Sequence, residues 1–183
     1  MEPRKTILTG TSTPQPLISL RPISAADTYA LRHAVLWPNK PQAYSQLPDD
    51  LSGHHFGAFV VSSKQDDTVK DKDRDGDNND SNEEQSLRQD EELVSVISLF
   101  IDDASGAARF RKFATATPWQ GKGVGSALMA YTIEAAAREG ATTIWCDARQ
   151  SALAFYQRFG MTGEGEPFFK EDVPYLRMSR ALP

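Results

Sequence analysis

Residues 17–23 (LISLRPI) alternate apolar and polar positions, the period of a half-buried strand, and Pro22 assigns that strand to a sheet edge. Ser24 is a fitting N-cap for the segment SAADTYALRHAVLW, a predicted helix that Pro38 ends. Residues 39–53, rich in Pro, Asn, Asp and Gly, read as a loop with a short helical turn. Strands are predicted over 55–62 (HFGAFVVS), 93–101 (LVSVISLFI) and 107–115 (AARFRKFAT), the last two joined by the turn DDASG. A long helix follows over 126–140, with Ala127, Leu128, Tyr131 and Ala135 on one face and Gly140 closing it. The short apolar run 142–146 (TTIWC) suits a buried parallel strand. A helix over 150–159, stopped by Gly160, precedes two further strands around a turn. The order is strand, helix, three-strand meander, helix, strand, helix, two strands, which predicts a mixed α/β (α+β) sheet.

The 183 residues suffice for one domain, or one domain with an appendage. Hydrophobic residues make up 39%, slightly low, and the deficit is local. Residues 64–92 hold 12 acidic and 5 basic side chains, with Val69 and Leu87 as the only aliphatic ones. The other residues carry 15 basic and 13 acidic side chains, so the net charge of −5 belongs to this insert. Such a segment cannot bury enough apolar surface to offset its ordering entropy. It joins two predicted strands as an enlarged hairpin tip, and residues 1–16 form an N-terminal tail. No run approaches the roughly 18 apolar residues of a membrane span, and MEPRKTILTG lacks an apolar h-region. One cysteine, Cys146, excludes a disulfide framework and predicts an inert thiol in an apolar strand. A cytoplasmic protein that engages neither nucleic acid nor membrane is expected.

Between the third meander strand and the long helix lies Thr117-Pro-Trp-Gln-Gly-Lys-Gly-Val-Gly-Ser126. Glycines at alternate positions let backbone approach a ligand, and successive amides before a helix N-terminus form an anion nest. Lys122 adds a full charge, so a diphosphate suits the site. The loop is neither GxxxxGK[ST] nor G-x-G-x-x-G. On the bare pattern, a tight turn that needs glycine only for its geometry fits equally well.

Within the insert, Asp71, Asp73, Asp75 and Gly76 follow the first half of the D-x-[DN]-x-[DN]-G-x₅-E calcium loop. Asp77 would offer its carbonyl and Asn79 the ninth ligand; the twelfth position is Asn82, with Glu83 one residue late. A second register from Asp73 puts Glu84 twelfth and Asn78 at the turn. The expectation is a Ca2+ site built from Asp71, Asp73, Asp75, Asp77, Asn79 and Glu83, against the plainer reading of a solvated acidic linker.

The chain resembles the GNAT superfamily of N-acetyltransferases. Gln120-Gly-Lys-Gly-Val-Gly125 matches that family's [Q/R]-x-x-G-x-[G/A] motif in spacing and context, and Ala152-Leu-Ala-Phe-Tyr156-Gln-Arg-Phe-Gly160-Met161 matches its A-x-x-x-Y-x-x-x-G-[FM]-like segment. Val173-Pro-Tyr-Leu-Arg-Met178 resembles the closing segment of small-molecule members. The resemblance implies one acetyltransferase domain over 17–182, with a mostly antiparallel sheet flanked by helices and a V-shaped split between two central parallel strands. It implies acetyl-CoA as co-substrate. Backbone groups of Phe113, Ala114 and Thr115 would hold its pantetheine arm, and Gln120, Gly121, Lys122, Gly123, Val124, Gly125 and Ser126 would form the diphosphate loop. It implies a small-molecule amine as acceptor, direct attack in a ternary complex, and room for a homodimer. Tyr156, by residue type a packing side chain, becomes by the motif the candidate general acid. Arg149 stands where many members have a cofactor-contacting Asn. His33, His54, His55, Glu164 and Glu166 are the candidate bases, and Trp37 and Trp119 could line the substrate pocket or pack in the fold. A catalytically silent acyl-CoA-binding calcium sensor and a protein N-acetyltransferase are the competing readings.

Overall fold

Ser24 starts the first helix as the sequence predicts: its hydroxyl accepts from the Asp27 amide, and the Asp27 carboxylate accepts from the Ser24 amide, a reciprocal capping box. In the computed structural model, which describes residues 17–61 and 91–183, this helix α1 (Ala25–Leu36) follows the edge strand β1 (Ile18–Ile23). Two short 3-10 turns, Gln42–Ser45 and Asp50–Ser52, lead into β2 (His54–Val61). The meander continues with β3 (Glu91–Asp102) and β4 (Ala107–Thr115). Then come α2 (Val124–Arg138), β5 (Thr143–Arg149), the short helix α3 (Leu153–Gln157), β6 (Thr162–Lys170) and β7 (Val173–Ala181).

One seven-stranded sheet has the order β1-β2-β3-β4-β5-β7-β6. Every neighbouring pair is antiparallel except β4 and β5. Their parallel pairing covers only Ala107–Arg109 against Thr143–Trp145. Beyond Arg109 the two strands part, which is the expected V-shaped split. A bulge accompanies it. Val96 pairs with Ala114 but Ser98 with Arg111, so β4 carries one extra residue, and Lys112 sits there at φ 53. A bulge bends its strand and increases the local twist, which carries the end of β4 away from β5.

Successive β2 residues point to opposite faces. Phe56 stacks edge-on with Tyr131 of α2, while His55 reaches the Arg32 side chain of α1. The two helices therefore cover opposite faces. The α2 face is apolar: Leu128, Met129, Leu99, Ile97 and Ile144 are buried in one cluster. On α2 itself Val124, Leu128, Thr132 and Ala135 are buried, while Ala127 and Tyr131 of the predicted stripe are only partly so. No helix among the described residues is long and apolar enough to cross a membrane.

Two predicted boundaries move. Glu91 and Glu92, expected in the acidic insert, belong to β3, where they pair with Val61 and Val60. Arg21 lies 3.6 Å over the Phe59 ring and reaches Glu91 at 2.6 Å, so ladder pairing and an ion pair offset the cost of ordering them. The helix expected over 150–159 is a 3-10 turn followed by five α-helical residues. The proposed calcium ligands Asp71, Asp73, Asp75, Asp77, Asn79 and Glu83 lie outside the described residues. Among the described residues no group of three His, Cys, Asp or Glu is placed to hold a metal ion.

Candidate active site

The split between β4 and β5 opens into a cleft with two continuous halves. One, of about 540 Å³, is lined by Phe113, Ala114 and Thr115 of β4, by Gln120, Gly121, Gly123, Gly125 and Ser126 of the following loop, and by Ser151, Ala152, Phe155 and Tyr156. The other, of about 410 Å³, is lined by Trp37, Arg111, Lys112, Asp147, Arg149 and Tyr175. Phe113, Gln120, Ser151, Ala152 and Tyr156 belong to both.

The three loop glycines serve two purposes. Gly121 and Gly123 have φ of 73 and 84, and a Cβ at either would project into space empty to 4 Å. Gly125 has ordinary backbone, but a Cβ there would come within 3.1 Å of Thr115 Oγ1 and 3.3 Å of the Phe113 ring. Its absence lets the first turn of α2 press against the end of β4. Gly123 caps α2 with no side-chain acceptor, and the first turn has no acidic residue. Its free amides therefore face the cleft with the positive end of the helix dipole. Gln120 braces the loop, its Nε2 donating to the Thr115 carbonyl at 2.9 Å. Thr115 also shares a hydrogen bond with Ser95 at 2.7 Å, which ties the strand end to β3. Two predicted loop residues do not line the cleft: Lys122 is exposed, 5.0 Å from the Trp119 ring, and the Val124 side chain is buried in the core.

On β4 the β5-facing edge has no strand partner beyond Arg109. Apart from the Thr115 carbonyl, which accepts from Gln120, and the Ala114 carbonyl, which accepts from Ser95, the peptide groups on that edge over Phe113–Thr115 are left to a ligand with amides of its own. An extended ligand there, ending in a diphosphate over Gly121–Ser126, fits the shape and charge of the larger half.

Tyr156 stands where the halves meet, 9% exposed, its ring 5.5 Å from Phe110 and 5.2 Å from Phe155. Burial pushes its phenol well above the ordinary value of 10.0. It therefore stays protonated at any working pH.

The histidines weighed as bases are elsewhere. His33 Nε2 sits 2.7 Å from the Lys40 carbonyl. His55 is buried between the Asp50 carbonyl and Ser98 Oγ, each at 2.7 Å. His54, Glu164 and Glu166 are exposed and line neither half of the cleft. Among the described residues one carboxylate lines it, Asp147, and it is taken by Lys170 at 2.8 Å, Arg109 at 3.0 Å and Arg177 at 3.4 Å. Burial opposes its ionisation, but the Lys170 hydrogen bond and the three cations outweigh that and hold its pKa below 3.8. It is a poor base. Cys146 reaches the smaller half but is buried, and desolvation, then Asp147, push its thiol far above 9.0. That agrees with an inert thiol.

Sequence reasoning had no assignment for Lys112 or Tyr175. Trp37 and Trp119 both line the cleft, one on each half. Arg149 turns to the smaller half, where Nε donates to Tyr175 Oη and an Nη to the Leu36 carbonyl, each at 3.4 Å.

Known proteins resemble this chain in sequence or in fold. The chain is 26% identical over 164 residues to the uncharacterised N-acetyltransferase YitI of Bacillus subtilis (strain 168), covering 86% of this chain and 89% of that one. The crystal structure of Escherichia coli ElaA superposes with a TM-score of 0.62 at 19% identity, over 90% of this chain and 99% of the other. A GNAT family acetyltransferase from Elizabethkingia anophelis, solved with acetyl-CoA bound, gives 0.58 at 16% identity, over 90% and 98%. The model of the acetyltransferase (GNAT) family matches residues 35–161, from the last turn of α1 past the Gly loop and Tyr156. With that match over more than half its length, the chain belongs to the acetyltransferase (GNAT) family, the acyl-CoA-dependent N-acetyltransferases.

Proposed function

We propose that the protein transfers the acetyl group of acetyl-CoA to a primary amine of a small molecule by direct attack in a ternary complex. The observation that carries this is the position of Tyr156, which lines both halves of one cleft. The β4 edge at Phe113–Thr115 receives the pantetheine arm, and the amides from Gly121 to Ser126, with the charge of Lys122 nearby, receive the diphosphate. The thioester then lies at the narrowing beside Tyr156, and the acceptor enters from the Trp37 side. The amine nitrogen forms a bond to the carbonyl carbon, and the C–S bond breaks. Tyr156 donates its proton to the departing sulfur and recovers one from the new amide nitrogen through water. The products are an acetamide and free coenzyme A. Among the described residues the cleft is lined by no histidine and by no carboxylate free of cation partners, so the amine enters neutral or loses its proton to water.

The Gly loop supports the nucleotide half of this reading. Gly123→Ala puts a side chain into a left-handed conformation, which costs about 1–2 kcal/mol, and sets a methyl group where the diphosphate is to lie. Calorimetric Kd for coenzyme A should rise about 5- to 30-fold. An unchanged Kd would leave the loop a turn and nothing more.

The acidic insert supports, by its oxygen spacing alone, a Ca2+ ion that modulates the reaction. The described residues that flank it, Val61 and Glu91, pair at the same sheet end as Ser95 and Thr115, beside the Gly loop. One experiment tests both readings: release of coenzyme A thiol from acetyl-CoA over a panel of amines, amino acids, aminoglycosides and peptides, with excess calcium and with a chelator. Turnover on at least one small amine is expected, with calcium changing its KM or kcat. Identical constants in both conditions would leave calcium no role in catalysis, and acetylation of peptides alone would reassign the substrate class.

A further inference from the structure

We propose that the acceptor is an amine that also carries an anionic group, carboxylate or phosphate, and that Lys112 and Arg149 receive that group in the half of the cleft beyond Tyr156. The inference rests on the acetyl-transfer reading for the place of the amine, and deepens it by naming the acceptor's second group.

The charges lining this half are Arg111, Lys112, Arg149 and Asp147. Two are already neutralised. Arg111 donates to both oxygens of Asp49 at 3.1 Å, and Asp147 is held by Lys170, Arg109 and Arg177. Lys112 and Arg149 remain, and among the described residues neither is ion-paired to a carboxylate. The Lys112 ammonium donates to the Tyr44 carbonyl at 3.1 Å and lies 3.6 Å from the centre of the Trp37 ring. Arg149 has only two long bonds to neutral oxygens, with most of its five N–H donors unspent. Both side chains are half-buried.

Partly desolvated cations without a counter-charge are unfavourable, and a bound anion relieves that. Lys112 reports the imbalance directly. Burial first, then Arg32 and Arg111, push its pKa down to about 8. It stands on the β4 bulge at φ 53, a conformation seldom adopted by residues with a side chain, so its place in the cleft is built by the strand. Tyr175 and Trp37 add aromatic surface to the lining of the same space. A guanidinium and an ammonium together match a carboxylate or a phosphate, and they repel a second ammonium. Polyamines and aminoglycosides are therefore disfavoured acceptors.

The test compares amines that differ in the anion. Tyrosine is set against tyramine, phenylalanine against phenethylamine, histidine against histamine, and O-phosphoethanolamine against ethanolamine. Initial rates at saturating acetyl-CoA give kcat/KM for each. The anionic member of at least one pair should exceed its partner tenfold or more, and the carboxylate and phosphate arms separate the two sources. Lys112→Met and Arg149→Gln should each collapse that ratio towards one through a rise in KM, while the Kd for coenzyme A stays put. Lys112→Arg should restore much of the ratio. Equal or better turnover of the neutral members overturns the inference and leaves acetyl transfer standing. If no amine is acetylated, the acetyl-transfer reading falls, and calorimetry of the coenzyme A-loaded protein with the same pairs decides this one. Heat from an anionic member that Lys112→Met abolishes sustains it; equal heats, or none, overturn it.

Discussion

Tyr156→Phe is expected to lower kcat about 10²- to 10³-fold, the range for loss of a positioned general acid, and to leave coenzyme A affinity intact. The substitution deletes one oxygen. The ring keeps its contacts with Phe110 and Phe155, so folding is not at issue. What disappears is, among the described residues, the one phenol shared by the two halves of the cleft, where the proposed mechanism puts the departing sulfur. Single-turnover mixing of the acetyl-CoA complex with an amine isolates that step from product release. The pH profile is a second check. Because burial raises the phenol above 10.0, Tyr156 stays protonated across the accessible alkaline range, and no falling limb below about pH 10 should belong to it. A variant with undiminished kcat would return Tyr156 to the role its residue type suggests, packing.

The second large effect is on stability. Arg32 is completely buried, and its guanidinium is clamped by both oxygens of Asp50 at 2.9 and 3.0 Å, by the Ser45 carbonyl at 3.0 Å and by Ser98 Oγ. Arg32→Leu leaves the Asp50 carboxylate, 3% exposed, without its partner. Breaking a buried pair in this way costs about 3–5 kcal/mol. For a chain of this size that lowers Tm by roughly 6–20 °C. Arg32→Leu with Asp50→Leu should be less damaging than Arg32→Leu alone, because two apolar groups leave no orphaned charge. Equal losses in the single and double variants would mean that packing volume matters and the pair does not. Acid acts on the same pair. Burial opposes ionisation of Asp50, but hydrogen bonds from Arg32 and the Leu47 amide, with the Arg32 charge, hold its pKa below 3.8. Its contribution is therefore complete above pH 3.8 and fades as pH falls through the depressed value. The clamp also fixes the 42–52 segment, which supplies Tyr44 to Lys112 and Asp49 to Arg111. Loosening it should raise acceptor KM before it touches coenzyme A binding.

The elements that could be read in advance are those governed by short-range rules. The capping box at Ser24, the strand 107–115, the αL glycines after the helices at Gly140 and Gly160, and the loop at 120–126 depend on neighbours within a few residues. The same is true of Pro22 at an edge. On α1 the sequence marked the helix but not its buried face, whose deepest side chains are Thr28 and Arg32. An arginine reads as solvent-facing unless its partners are known, and these come from positions 45, 50 and 98. The histidines misled for the same reason: His55 is a neutral-looking strand residue whose ring is spent on Asp50 and Ser98.

The acceptor half of the cleft illustrates the remainder. Nothing near Lys112 in the chain announces a bulge, since the extra residue exists only relative to β3. Tyr175 reaches the cleft because β7 inserts between β5 and β6, a pairing that the order of elements leaves open. Arg149 departs from the family's usual residue, and only its bonds to Leu36 and Tyr175 place it in the smaller half of the cleft. From sequence alone, then, came the strand and helix order, the glycine cradle, the identity of Tyr156 and the segregation of charge into residues 64–92. Tertiary structure decided which of the described charges are neutralised, which line the cleft without a carboxylate partner among the described residues, and that one phenol lines both halves. Local backbone preferences act over a turn or a strand, whereas electrostatic balance in a cleft sums over side chains that lie more than a hundred residues apart.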